Sequence, residues 1–222
     1  RLFESAPGVH EVVAAGEPLP PHDAWLPLLS LAGVLAVDAR SIPAHVPYLS
    51  ASPRRRDGVA ADLANHTDSL RVGIAWAGNP RHPNDRRRSA SLSALAPLFG
   101  ARGVTWFSLQ QDDVGMAGSG LAEGAKLVEV DTRRDFDGMA ALVAELDLVV
   151  SVDTSIAHLS GALGRPTFVL LPYAADWRWK TARPDSDWYP TARLFRQRAP
   201  GDWASVVAEV GAAIAAFPRH PR

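Results

Sequence analysis

The alternation of apolar runs with helical patterns over residues 71–217 limits this chain to few folds. Apolar runs that predict strands lie at residues 72–78, 104–110, 126–130, 147–153, 166–171 and 191–197. Helical patterns lie between or after them, at residues 91–100, 135–146, 155–164 and 202–217. Strands that alternate with helices pair in parallel through right-handed crossovers. The pattern therefore predicts an α/β, Rossmann-like fold, with helices on both faces of a parallel sheet.

The first 70 residues have a different texture, with prolines every few residues. We expect residues 1–70 to be the remainder of an N-terminal domain plus a linker, and residues 71–222 to form the Rossmann-like domain. Residues 52–58 predict a solvated loop and residues 60–64 a brief helix. Apolar side chains in the first segment could dock on another surface: Trp25, Leu26, Leu28, Leu29 and Leu31. The chain begins with Arg1, and we expect it to be a fragment of a longer protein.

Charge and composition disfavour several classes of function. The formal net charge is -1, without the basic excess typical of proteins that bind nucleic acid, so no nucleic-acid partner is expected. The chain has no cysteine, which excludes disulfides and thiolate sites and is compatible with a cytoplasmic location. No run of 18 apolar residues is present, so no membrane span is predicted.

The stretch "SVDTSIAH", residues 151–158, passes from a strand into a helix and carries the first candidate site. Backbone N–H groups at Thr154 and Ser155 would lie at the positive end of the helix, which suits a phosphate. His158, one turn further on, could bond a phosphate oxygen or a sugar hydroxyl. Asp153 repels phosphate and would cap the helix or accept from a sugar hydroxyl. In the alternative, Asp153 or Thr154 is a helix cap and His158 is structural.

The loop after the first strand, "AGNPRHPNDRRRS", carries the second candidate site. Gly78 permits close backbone approach, and guanidinium groups bind phosphate in bidentate fashion. The carboxyl ends of parallel strands form the ligand crevice of such sheets, which favours binding over a merely solvated loop. Asn79 belongs to this site, although it could also simply form a turn. The basic candidates are Arg86, Arg87 and Arg88, with Arg81 and His82 nearby.

A third loop, residues 172–190, follows the fifth predicted strand and is rich in aromatic side chains. Loops of this length often bind ligands, and indole faces could stack on a base or a sugar ring. In the alternative, the aromatic side chains pack the loop onto the sheet. Trp177 and Arg178 are the binding candidates here.

Metal and dinucleotide sites are not predicted. Two D-x-D triplets occur, at residues 135–137 and 185–187, but the first begins a helix and the second has no evident third ligand. No P-loop, HExxH or G-x-S-x-G motif is present, and the turn after "VGIAWAG" lacks the second glycine of dinucleotide enzymes. We therefore expect no metal and no cofactor.

Three phrases carry a resemblance to a known family: "RVGIAWAGNPRHPNDRRRSASLSALAPL", "VDTSIAHLSGALGRPTFVLLPYAADWRW" and "DSDWYPTARLFRQ". Over residues 20–210 the chain resembles the C-terminal glycosyltransferase-like domain of bacterial tetratricopeptide-repeat proteins. It is more distantly similar to the ADP-heptose lipopolysaccharide heptosyltransferases, whose D-T-G-x-x-H pattern matches Asp153, Thr154 and His158, with Ser155 replacing the glycine. O-linked N-acetylglucosamine transferases share the overall layout.

The resemblance implies the C-terminal half of a GT-B fold, which binds a sugar nucleotide without an obligatory metal. It implies an inverting glycosyltransferase that transfers a sugar from a nucleoside diphosphate to a protein or glycan acceptor, with helical repeats upstream. The catalytic base would lie in the missing N-terminal part. The replacement of glycine by Ser155 keeps two alternatives open, a non-catalytic interaction module of a repeat protein and a sugar-nucleotide epimerase.

Overall fold

A computed structural model describes residues 2–110, 127–131 and 135–219. Within these residues six strands form one sheet in the order β3-β2-β1-β4-β5-β6, and every neighbouring pair is parallel. The strands are β1 (Leu70–Ala75), β2 (Val104–Ser108), β3 (Leu127–Val128), β4 (Leu148–Val152), β5 (Thr167–Leu171) and β6 (Ala192–Arg196). The predicted α/β, Rossmann-like fold is confirmed.

Seven α-helices accompany these strands in the described part of the chain. They are α1 (Leu28–Val34), α2 (Pro53–Asp62), α3 (Asp85–Arg88), α4 (Leu92–Leu95), α5 (Phe136–Ala144), α6 (Ser155–Ala162) and α7 (Trp203–Ala215). Short 3₁₀ turns cover Leu2–Ser5, Ala64–His66, Ala96–Gly100 and Trp177–Trp179. Among the described helices, none has the length and apolar character needed to cross a membrane.

Both faces of the sheet are covered, which explains why its central strands are apolar without alternation. On β1, Val72 and Ile74 pack into a core with α4 and α7, whereas Ala75 packs into a second core with α2, α5 and α6. Gly73 points at the second core, where an added Cβ would lie 2.5 Å from Leu146 Cδ1. Two apolar cores therefore lie on opposite faces of the sheet, and both include residues of the middle strands β1 and β4.

The segment predicted as a helix over residues 91–100 is split in the structure. Ser91 caps α4, its hydroxyl accepting the N–H of Ala94 at 3.1 Å, and the helix ends at Leu95. The chain then continues as the 3₁₀ turn Ala96–Gly100, which contains Pro97. Because proline has no N–H to donate, it limits a regular α-helix at this point.

The prediction of a solvated loop over residues 52–58 is wrong. Helix α2 begins at Pro53, directly after Ser52, and buries Val59. Its start is held by Asp137 of α5, which accepts the N–H and the hydroxyl of Ser52 at 3.0 and 2.9 Å. The Ser-Pro pair accounts for this helix start, because serine favours the cap position and proline the first helical position.

Some of the first 70 residues pack into the same core as the sheet. Leu49, Val59 and Leu63 are buried in the cluster that includes α5 and α6. Helix α1, by contrast, has no buried residue, and Leu28 and Leu29 are 82% and 92% exposed. A domain boundary at residue 70 and the docking of α1 on another surface stay predictions.

The strand order determines where a ligand can bind. Strand β1 lies beside β4 at the centre of the sheet. The connection after β1 leads to β2 on one side, and the connection after β4 leads to β5 on the other. At such a switch point the loops after the strands diverge and leave a crevice. Here the crevice lies at the carboxyl ends of β1 and β4.

Candidate functional site

A cavity of about 670 Å³ occupies this crevice. It is bounded by the loop after β1, the end of β2 and the first turn of α6. Its lining residues are Ala75, Ala77, Gly78, Asn79, Pro80, Arg81, Arg88, Leu109, Gln110, Thr154, Ser155 and Ile156. We call this the switch-point cavity. It brings the β4–α6 turn together with part of the arginine-rich loop, as the sequence predicts.

The first turn of α6 presents backbone N–H groups to the switch-point cavity. Thr154 is the buried N-cap, and its hydroxyl oxygen accepts the N–H of Ile156 at 3.3 Å. Ser151 Oγ donates to the Val152 carbonyl and lies 3.1 Å from Thr154 Oγ1, so the threonine hydroxyl is used by the fold. Among the described residues, the backbone N–H of Ser155 has no hydrogen-bond acceptor. That N–H is the donor left for a ligand.

Arg88 fixes a positive charge beside this turn. One guanidinium N–H donates to the carbonyl of Asp153 at 3.0 Å, and Nε lies 3.5 Å from the Asp85 carboxylate. Gly78 makes room for the guanidinium, because an added Cβ would lie 2.5 Å from Arg88 Nη2. Arg88 therefore ties the loop after β1 to the start of α6 while it lines the cavity.

The remaining polar groups of the loop after β1 shape its backbone. Gly78 donates its N–H to Ser89 Oγ at 2.9 Å. The side chain of Asn79 accepts the N–H of Arg81 at 2.9 Å, which is the turn-forming alternative considered for this asparagine. These bonds orient the loop around the cavity, and the exposed Arg81 lies on its lining.

Gln110 is a residue of the site that the sequence does not predict. Its Oε1 accepts the N–H groups of Trp76 and Ala77 at 3.3 and 3.2 Å, and its Nε2 donates to the Ala77 carbonyl at 3.0 Å. The side chain thereby replaces the strand ladder beyond β1 and forms one wall of the cavity. A single glutamine at a strand end has no sequence signature that would have marked it.

A second depression of about 340 Å³ adjoins the switch-point cavity and shares Arg88, Thr154 and Ser155 with it. We call it the histidine depression, because His158 of α6 lines it. The other residues on its lining are His82, Asn84, Arg87, Asp153, Pro172, Ala174, Ala175, Asp176 and Arg178.

Aromatic side chains from the loop after β5 hold His158 in place. Its Nδ1 lies 3.0 Å from the hydroxyl of Tyr189, and its ring stacks on Trp179 with centroids 5.3 Å apart. Its Nε2 lies 3.9 Å from an oxygen of Asp153. Burial lowers the pKa of His158 below its ordinary value, although the Asp153 carboxylate acts in the opposite direction. The imidazole is therefore neutral at neutral pH and fixed in orientation.

The predicted arginine cluster is divided by the structure. Helix α3 is a single turn, and successive side chains on a helix point about 100° apart. Arg88 lines the switch-point cavity and Arg87 the histidine depression, but Arg86 lines neither. The expectation that all three arginines face one ligand is corrected accordingly.

The aromatic loop after β5 is also divided. Trp179 and Tyr189 are buried in a core with β5 and β6, as in the packing alternative. Arg178 lines the histidine depression and pairs with Asp176 at 2.8 Å. Trp177 is 68% exposed, packs edge-on against Trp188 and borders neither cavity.

The acidic triplet at residues 185–187 is occupied by cations of its own loop. Arg183 pairs with Asp185 at 2.6 Å and also with Asp187, to which Lys180 bonds as well. In the triplet at residues 135–137, Asp135 caps α5 by accepting the N–H of Gly138 at 2.7 Å. These carboxylates have structural partners.

Part of the chain matches a glycosyltransferase family model and two curated proteins. The family model "Glycosyltransferase family 9 (heptosyltransferase)" matches residues 93–186, which include the β4–α6 turn. Protein FlbA of Caulobacter vibrioides is 25% identical over 222 residues, covering 98% of this chain and 36% of FlbA. Lipopolysaccharide heptosyltransferase 1 of Escherichia coli K12 is 44% identical over 50 residues, covering 22% of this chain and 16% of that protein. The matches thus cover well under half the length of each of these relatives.

Comparison with solved structures supports the fold. E. coli ADP-heptose lps heptosyltransferase II superimposes with a TM-score of 0.53 at 16% identity, over 78% of this chain and 55% of that chain. A glycosyl transferase family 9 protein from Veillonella parvula gives 0.52 at 13% identity, over 78% and 47%. The expected GT-B relationship agrees with these neighbours, whereas the similarity to tetratricopeptide-repeat proteins and O-linked N-acetylglucosamine transferases stays a prediction.

Proposed function

We propose that this chain is the donor-binding part of a glycosyltransferase that uses a nucleoside-diphosphate sugar. One observation carries the proposal: the N–H of Ser155 and the guanidinium of Arg88 border the same cavity at the switch point of the sheet. The match of residues 93–186 to a glycosyltransferase family model supports the same class of function.

The proposed chemistry depends on the charge of the leaving group. When the sugar leaves, negative charge develops on the nucleoside diphosphate. An N–H at the positive end of α6 and the fixed cation of Arg88 would stabilise that charge, because both are already oriented before the reaction. The protein itself would supply this stabilisation without a metal ion, and no cofactor is part of the proposal.

The histidine depression would hold the sugar of the donor. Asp153 can accept from a sugar hydroxyl, and the neutral imidazole of His158 offers one further polar group beside it. The acceptor in this proposal is a protein or a glycan and the reaction is inverting. The catalytic base belongs to the part of the parent protein outside this chain, where upstream helical repeats would present the acceptor.

Isothermal titration of the chain with ADP, UDP, AMP and UMP tests the proposal. We expect at least one diphosphate to bind at least tenfold more tightly than its monophosphate, since one additional charge-assisted hydrogen bond contributes about 1.5 to 3 kcal/mol. Arg88→Ala should remove this preference, whereas Arg54→Ala on the exposed face of α2 should retain it. Equal affinity for diphosphates and monophosphates would contradict the proposal.

Product analysis separates the two alternatives to transfer. An epimerase would convert a bound donor to an isomerised sugar nucleotide in the absence of acceptor, whereas a transferase would not. An interaction module would bind no sugar nucleotide, even within its full-length parent. Ser155→Gly, which restores the glycine of the matched pattern, should retain or improve diphosphate binding because the N–H remains.

A further inference from the structure

A third depression of about 340 Å³ lies beyond the carboxyl ends of β5 and β6. It shares Arg87, Pro172 and Ala174 with the histidine depression, so the two are continuous along the same edge of the sheet. Its other lining residues are Arg86, Tyr173, Gln197, Pro200, Gly201 and Trp203. We call it the β6 depression. The proposed donor site does not use it.

The lining of the β6 depression is basic. Arg86 and Arg87 are exposed, and within the described residues their side chains form no hydrogen bond or ion pair. The lining contains no acidic residue. Acids on the adjoining elements have other partners, since Asp202 accepts the N–H of Ser205 at 3.1 Å and Glu209 pairs with Arg198 at 2.6 Å. The lining of the β6 depression therefore carries two arginines without an ion-pair partner among the described residues and no acidic residue.

Gln197 provides an independent indication of a ligand. The residue is 97% buried, and its Oε1 accepts the N–H groups of Tyr173 and Gly201 at 3.2 and 3.0 Å. These two donors determine the orientation of the amide, because only its oxygen can accept them. The Nε2 group of Gln197 is buried and has no hydrogen-bond partner among the described residues. Buried amide donors are nearly always paired with the protein or with an ordered water, so Gln197 Nε2 is a donor whose acceptor the described residues do not supply.

Two aromatic side chains give the β6 depression an apolar wall. Trp203 is half-buried and Tyr173 is 55% exposed, and both lie on its lining. Flat faces of this kind pack against sugar or aromatic rings. The volume lies near the lower limit of small-molecule sites, which begin at about 300 Å³ and accommodate a compound of one ring.

We propose that the β6 depression binds a small ring compound that carries a carboxylate or a phosphate. The anionic group pairs with Arg86 and Arg87 and accepts from Gln197 Nε2, and the ring packs against Trp203. Guanidinium groups and a neutral amide donor together match the oxygens of either anion. Binding in this depression does not require the switch-point cavity, although the β6 depression shares Arg87 with the histidine depression. Its role as a subsite for part of a substrate rests on the proposed glycosyltransferase function.

Nuclear magnetic resonance of the chain labelled with ¹⁵N tests this site. The probes are glucuronate, glucose 6-phosphate, inorganic phosphate and glucose, and the reporters are the Trp203 indole N–H and the Gln197 side-chain amide. We expect saturable shifts of both reporters with glucuronate, glucose 6-phosphate or both, and none with glucose. A response to glucuronate identifies carboxylate as an accepted anion, and a response to glucose 6-phosphate identifies phosphate. Reporters that respond to neither sugar, or to inorganic phosphate alone, overturn the proposal.

Variants test which groups bind the anion. Arg86→Gln should weaken the responding sugar at least fivefold, whereas Arg54→Gln, an equal loss of charge on α2, should leave its affinity unchanged. Gln197→Glu retains the acceptor for Tyr173 and Gly201 but replaces the donor with a carboxylate oxygen, and should abolish binding. A backbone amide spectrum confirms that each variant is folded. If Arg86→Gln and Arg54→Gln behave alike, the proposal is wrong.

The same samples separate this site from the donor site. Arg86→Gln should bind nucleoside diphosphates as the unmodified chain does, because Arg86 lies outside the switch-point cavity. Ser155→Pro should lose diphosphate binding and keep the response of Trp203 to the anionic sugar. Loss of one response without the other therefore shows which of the two proposals fails.

Discussion

Helices α6 and α7 both follow a strand of the sheet, but their first turns carry different charges. Asp202 caps α7 by accepting the N–H of Ser205, and the hydrogen bonds from Ser205 hold the pKa of this carboxyl below its ordinary range. Thr154 caps α6 with a neutral hydroxyl. A carboxylate compensates the positive end of its helix from within the protein, whereas a hydroxyl leaves that end for a ligand. The chemistry of the cap therefore decides which helix start can bind an anion.

The two glycines in these helices differ as well. Gly161 of α6 lies under the ring of Tyr189, where an added Cβ would approach two ring atoms to 2.4 Å. An added Cβ on Gly211 of α7 would meet only Leu98 Cδ2, at 3.7 Å. Helix α6 is thus packed closely against the loop that holds His158. Helix α7 has space for a methyl group at Gly211.

Exchanging the caps gives the largest expected effect. Thr154→Asp keeps α6 capped but places a carboxylate at the switch-point cavity. We expect it to weaken diphosphate binding by roughly 3 kcal/mol, the repulsion of unit charges about 6 Å apart at an effective dielectric near 20. Isothermal titration measures the change. Asp202→Thr, the reverse exchange on α7, should leave diphosphate affinity unchanged, and an equal effect of the two exchanges would refute the comparison.

Alanine at the two glycines gives a smaller effect, which differs in sign between the helices. Gly161→Ala should destabilise the fold by about 1 to 3 kcal/mol, because the Tyr189 ring must move from α6. Gly211→Ala should stabilise it by about 0.5 to 1 kcal/mol, since alanine is the better helix former and no close contact arises. Urea unfolding measures both free energies. Destabilisation of similar size in both variants would show that α6 is not packed as described.

The smallest effect concerns pH. Burial lowers the pKa of His158 below 6.5, its ordinary value. As the pH falls through 6.5, the unfolded chain takes up this proton before the folded chain does, so the fold loses stability. The loss should stay below about 1 kcal/mol because the side chain is partly screened by solvent. Urea unfolding at pH 7.5 and 5.5 should show a weaker pH dependence in His158→Gln, and an unaltered dependence would assign the loss to other groups.

The strands were predictable from sequence because burial on both faces leaves long apolar runs. The residues at which the strands end were harder to predict, as β1 shows. The apolar run continues to residue 78, but Gln110 binds the N–H groups of Trp76 and Ala77, and β1 ends at Ala75. A side chain more than 30 residues away in sequence thus ends the strand. Local patterns do not contain that information.

Only the part of the candidate site that depends on local sequence was predictable. The position of Thr154 and Ser155 follows from the order of strand and helix, which is local. The direction of Arg88 depends on the space above Gly78 and on the carbonyl of Asp153, 65 residues away. The partner of His158 is Tyr189, 31 residues further on. Such contacts arise only when the sheet brings its loops to one edge.

The backbone N–H of Ser155 is the group on which the account depends most, and proline can remove it alone. Proline is favoured at the first position of a helix, and Thr154 before it already has the extended backbone that proline requires. Isothermal titration of Ser155→Pro and Ser155→Ala with the diphosphate that binds best is the decisive measurement. The account predicts at least tenfold weaker binding for Ser155→Pro, about 1.4 kcal/mol, with unchanged stability and with Ser155→Ala near the unmodified chain. Equal affinity of the two variants would contradict it.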